Sequence, residues 1–159
     1  MRQSIIDVVK SALQQISTAN GYRTDFGALY SEWVCYSDLT QVNALQIRDE
    51  DCAFETESEA DDNAMADHTK TLTININILV ASKTAGTILR QVISDVYKAI
   101  GVLILNSVTD GYAGTLKLPQ YVKDVKPGGD RLMVTEDNRK IGGSQVTILI
   151  TYKTAAWTD

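Results

Sequence analysis

The chain has 159 residues, 44% hydrophobic and 22% charged, a balance that fits one globular domain and excludes disorder of the whole chain. The formal net charge of −5 is a local feature: of 20 acidic residues, eight fall in residues 49–62, DEDCAFETESEADD, which hold no base, leaving twelve acids against 15 bases elsewhere. No basic stripe with interleaved aromatics is present, which argues against sequence-specific nucleic-acid binding.

In chain order, residues 2–19 are expected to be helical, because Ile5, Ile6, Val9, Leu13 and Ile16 recur at three- and four-residue spacings. Asn20-Gly21 should stop that helix, with Gly21 in the left-handed conformation after its last turn. Residues 28–36, ALYSEWVCY, favour a strand by their Tyr, Trp and Val content. A second strand is expected at 44–48, and Cys52, Ala53 and Phe54 either continue it or begin the next. The polar, acidic stretch from Thr56 to Asp67 reads as a mobile loop, since self-repelling acids with few apolar anchors do not offset the entropy of ordering.

Residues 70–81, KTLTININILVA, alternate with period two. Leu72, Ile74, Ile76, Ile78 and Val80 share one face, and Thr71, Thr73, Asn75 and Asn77 the other, so this strand should cross a core. Residues 84–100 return to helical spacing with a broad stripe of Ile88, Leu89, Val92, Ile93, Val96, Tyr97 and Ile100, and Gly101 is the expected stop. The last third reads as a meander: a short strand at 120–126, a PGGD turn at 127–130, a strand at 131–135, a hairpin loop at 136–144 and a closing strand at 145–153. The expected architecture is α+β, with two amphipathic helices on one face of a mixed, mostly antiparallel sheet.

Chemistry is harder to find. His68 is the single histidine and stands beside a polar loop, where a solvated residue is the simplest reading, so neither a Ser-His-Asp nor a Cys-His site is expected. Cys35 and Cys52 stand 17 positions apart, belong to no CxxC pair, and read as free thiols of a protein made in a reducing cytosol. The acidic run lacks the glycine of a twelve-residue calcium loop, so no metal site is assigned. Gly128-Gly129 and Gly142-Gly143 follow no phosphate-cradling pattern and read as turn residues. Trp33 and Trp157 read as core or interface anchors. Arg23 and Asp25 either pair locally and solvate, or contact another subunit. No enzyme activity and no cofactor are expected, and no apolar run is long enough to span a membrane.

Laid end to end, the chain resembles the bacteriophage tail terminator family. The opening helix IIDVVKSALQQI leads to a G-x-x-T-D-x-G corner of Gly21, Thr24, Asp25 and Gly27. A Tyr/Trp strand follows, then a polar segment, and the alternating strand LTININILV runs into the helix ILRQVISDVYKAI. The closing strand VTILITYKT ends in Tyr-x-Thr. The chain departs from the family pattern in SDLTQVNALQIRDED, which has no proline where many members have a Leu-Pro-apolar stretch.

The resemblance implies a virion protein, assembled in the host cytoplasm, that caps the tail tube as a hexameric ring. It would stop tube elongation and dock the head-completion or connector protein. Its partners would be itself, the tail-tube protein, the connector and, in a contractile tail, sheath-related proteins, with DNA passing through unbound. Asp49, Glu50, Asp51, Glu55, Glu57, Glu59, Asp61 and Asp62 would then either line the lumen or sit on the rim or tube-facing surface. Arg23, Asp25, Arg131, Arg139 and Lys140 are candidate subunit contacts. Another neck or tail-completion protein, or a small host cytosolic binding domain, is the alternative.

Overall fold

A computed structural model describes residues 1–30, 43–55, 67–81, 84–109, 114, 116–134 and 141–155. Its elements are α1 (Arg2–Leu13), β1 (Ala28–Tyr30), β2 (Ala44–Glu55), β3 (Asp67–Ala81), α2 (Ala85–Val108), β4 (Val122–Val134) and β5 (Ile141–Ala155). The strands form one sheet in the order β1-β2-β3-β5-β4, antiparallel except for the short β1, which runs parallel to β2. Both helices pack on one face: α1 touches α2 and β2, while α2 covers β3, β5 and β4. The expected α+β architecture is the observed one.

The period-two strand is central, as its pattern requires. Leu72, Ile74, Ile76, Ile78 and Val80 are fully buried under the helices. They meet Val146, Ile148 and Ile150 of β5 on one side and Leu45 and Ile47 of β2 on the other. Ile5, Val9 and Leu13 of α1, with Leu89, Val92, Val96 and Leu103 of α2, complete this layer. Burying each such side chain contributes on the order of 1.5–3 kcal/mol. Tyr121 ties the start of α1 to the far side of the sheet: its hydroxyl donates to the Met1 carbonyl (2.9 Å) and its ring meets that of Tyr152 edge-on.

Several element boundaries differ from the sequence reading, each for a physical reason. The first helix ends at Leu13, not 19. Gln15 and Ile16 tighten to i→i−3 bonds, Ser17 is extended, and a 3-10 turn over Thr18–Asn20 follows. Asp25 accepts the Thr18 N–H (2.7 Å), which a continuing helix would have sent back along its own axis. Gly21 takes the left-handed conformation as expected, at φ 78°. The second helix does not stop at Gly101 but runs through it to Val108. The apolar side chains beyond it, Leu103 buried and Ile104 packed on the core, outweigh the roughly 1 kcal/mol cost of an interior glycine.

PGGD is not a turn. Residues 122–134 are one strand with register shifts at Val122/Asp124 and Pro127/Gly129, and Gly129 supplies the φ of 109° that the second bulge needs. Gly142-Gly143 likewise belong to β5 and not to a loop. A Cβ on Gly142 would lie 2.7 Å from Leu89 Cδ1 and 3.0 Å from Ala85 Cβ, so the missing side chain lets α2 sit close on the sheet. β2 continues through Cys52, Ala53 and Phe54 with a bulge between Asp49 and Cys52. Strand β2 therefore claims 49–55 of the acidic run and β3 claims Asp67 from the expected loop, while 56–66, like 31–42, lies outside the described residues.

Candidate assembly surfaces

The glycine-bounded corner docks onto α2 through its backbone. Asp95, 2% exposed, accepts the Arg23 N–H at both carboxylate oxygens (3.2 and 3.0 Å), and the Thr24 hydroxyl donates to its Oδ2 at 2.6 Å. One turn further along α2, Lys98 Nζ donates to the Gly21 carbonyl (2.8 Å) and stands 4.6 Å over the Tyr22 ring. Burial, and then the charge of Asp95, hold the Tyr22 phenol above its ordinary pKa. Asp25 turns inward to the chain, accepting from the Thr18 N–H and hydroxyl. Arg23 contributes its backbone to this dock while the residue itself is exposed. The corner is thus a clamp in which Asp25 works locally.

Asp95 and Lys98 were not singled out from sequence, although one signal was there. Asp95 falls three residues after Val92 and four before Ala99, on the buried stripe of α2. An acid on an apolar stripe must find donors, and the corner supplies them.

The acidic residues that can be placed do not share one surface. Asp49 lies on the helix side of β2, paired with Arg2 of α1 at 2.6 Å, and Arg2 also donates to the Glu50 carbonyl. Glu50 is exposed on the opposite, open side. Asp51 and Glu55 are backbone members of β2. Glu57, Glu59, Asp61 and Asp62, like Arg139 and Lys140, fall outside the described residues.

On the open side, β3 and β5 present a polar ladder. Gln145 Nε2 donates to Asn77 Oδ1 (2.9 Å), Thr147 Oγ1 to Asn75 Oδ1 (2.7 Å), and the Thr71 and Thr151 hydroxyls meet at 3.1 Å. Asn75 and Asn77 are buried within this ladder. An open depression of about 380 Å³ lies across it, with Glu50 at one wall and Asp130 and Arg131 at the other. The structure therefore brings Arg131 and Glu50, assigned to separate groups from sequence, to the rim of the same basin.

β4 forms one edge of the sheet and is exposed from Lys126 through Leu132. Tyr97 of α2 reaches it, donating to Asp130 Oδ1 at 3.1 Å; burial and that bond raise the Tyr97 pKa. Beside its first residues a second groove, about 370 Å³, opens between the end of α2 and the segment 117–125. The groove is framed by polar ties: the Leu118 N–H donates to Ser107 Oγ (2.8 Å), and Asn106 Nδ2 to the Leu116 carbonyl (3.2 Å).

Among the described residues, no three His, Cys, Asp or Glu side chains are grouped so as to hold a metal ion, and no helix is long and apolar enough to cross a membrane. No protein-family model matches the chain, and no curated protein matches it significantly.

Proposed function

We propose that this chain is a structural subunit of the tail-terminator type, which joins copies of itself into a ring on a tail tube and offers a docking surface to a connector. Besides the arrangement of sequence features, one observation supports the reading: a thirteen-residue edge strand, β4, has no outer neighbour among the described residues and is exposed along its middle. Such an edge invites a partner. It is also shaped, because Pro127 removes a donor and two bulges break the ladder, which limits indiscriminate pairing while leaving Asp130–Val134 regular. A subunit that meets neighbours in one defined way needs both properties.

The test is mass in solution together with electron microscopy, first of the purified protein and then of the protein mixed with tail tubes. A six-fold annulus, free or seated at tube ends, is the expected result. A protein that stays monomeric and ignores tube ends overturns the proposal in favour of a host binding domain.

A further inference from the structure

We infer that the groove at the end of α2 is the receiving half of a head-to-tail contact, and that its occupant is the acidic stretch 49–62 of a second copy of this chain. The inference rests on the ring reading and adds to it which surfaces meet.

The groove has an apolar floor and a basic rim. Ile104, Leu118, Val122 and Val125 line it, and Lys117 and Lys123 stand at its wall. Among the described residues that line it the one acid, Asp124, is engaged by Lys126 at 2.8 Å, which holds the Asp124 carboxyl below its ordinary pKa, so Lys117 and Lys123 set the sign of this lining. Beside the groove α2 exposes Leu105 (61%) and Val108 (72%), which are large apolar side chains left in water. Exposed apolar surface rimmed by charge marks an interaction site. The chemistry asked of a partner is an extended segment rich in carboxylates, with a few apolar anchors.

The chain holds one stretch of that composition: residues 49–62, with eight acids, no base, and Phe54 among them. It begins on β2, while the groove abuts β4, and β3 and β5 lie between them. Three strand spacings separate the two features by about 14 Å across the sheet. Acid and groove also lie at the same end of the sheet, since Glu55 pairs with Thr69, Thr69 with Lys153, and Tyr152 with Val122. A contact joining two different sides of one molecule is heterologous and propagates from copy to copy until rotation closes it. Opposite signs at the two sides fix its direction.

Two charge-swapped proteins test this. One carries Lys117→Glu and Lys123→Glu; the other carries Glu55→Lys, Glu57→Lys, Glu59→Lys, Asp61→Lys and Asp62→Lys, which turns the stretch from eight acids and no base to three acids and five bases. Circular dichroism first checks that each is folded; milder Lys→Gln, Glu→Gln and Asp→Asn versions replace any that is not and are read only for their own loss of association, not in the mixture. By light scattering at about 50 mM salt, where charges act over ~14 Å, wild type should assemble and each swapped protein alone should lose about tenfold or more in association. An equal mixture of the two should regain it with alternating subunits. In wild type, zero-length carbodiimide coupling of mixed heavy and light isotope-labelled protein should join Lys117 or Lys123 to an acid of 49–62 in mixed-isotope pairs.

If the swapped proteins assemble like wild type, or the mixture recovers nothing, this contact is wrong while the ring stands. If the carbodiimide links are all within one copy, the acidic stretch folds back on its own groove and the inference falls. A wild type that never assembles, with or without tubes, removes both readings.

Discussion

Replacing Asp95 with Ala should unfasten the corner at residues 21–27 from α2. Two donors lose their acceptor, the Arg23 N–H and the Thr24 hydroxyl. Hydrogen bonds to a charged group contribute about 1.5–3 kcal/mol each. Against this stands the cost of keeping a carboxylate in a site only 2% exposed, which amounts to several kcal/mol before its bonds are counted. The Arg23 N–H is near the surface and can turn to water, whereas buried Thr24 is left with an unpaired hydroxyl worth about 1–3 kcal/mol. The expected net loss is about 2–4 kcal/mol. Urea unfolding should show it as a midpoint lower by roughly 1–2 M, and Tm should fall by roughly 4–12 °C. Adding Thr24→Val to Asp95→Ala should recover about 1 kcal/mol or more, because it removes the orphaned hydroxyl. A change within about 0.5 kcal/mol for Asp95→Ala, or an Asp95→Leu protein more stable than wild type, would refute the idea that this carboxylate holds the corner.

Ser144 is fully buried, its hydroxyl has no partner among the described residues, and it faces Ile78 across the ladder; Ser144→Ala should leave stability unchanged or raise it by about 1 kcal/mol in urea unfolding. Gly142→Ala should destabilise by about 1–3 kcal/mol, since its methyl would press on Leu89 and Ala85 and lift the start of α2. Folding raises the pKa of Tyr97, so the stability this group contributes is complete below the unfolded value near 10 and is lost as pH rises through the folded one. Tyr97→Phe should therefore flatten the fall in Tm above about pH 10.

Periodicity made the layers legible. The alternation of 70–81 and the stripe of 84–100 identify β3 and α2, because those patterns are set by which face meets the core. Glycines misled where tertiary packing decides. Gly101 looks like a stop, yet the apolar residues beyond it keep α2 going. Gly128-Gly129 and Gly142-Gly143 look like turns, yet one pair forms a bulge and the other lets a helix approach. At the candidate surfaces, the corner was visible as a motif, but its partner Asp95 lies 71 residues from Thr24 in sequence. The acidic run was equally visible. That its first two residues face opposite sides of the sheet follows only from the register of β2, which a sequence without clean alternation does not reveal.

β5 comes after every other strand in the chain, yet its place is between β3 and β4. During synthesis β3, with its five fully buried apolar side chains, must wait with one flank open until more than seventy further residues have been added, counted from Ile74 to its partner Ile148. Closure is then an insertion between two waiting strands, and long-range pairing of this kind is slow. Until it happens, the nascent protein carries an adhesive flank at its centre. Its yield in the cell should accordingly depend more on crowding and chaperone supply than its finished stability suggests.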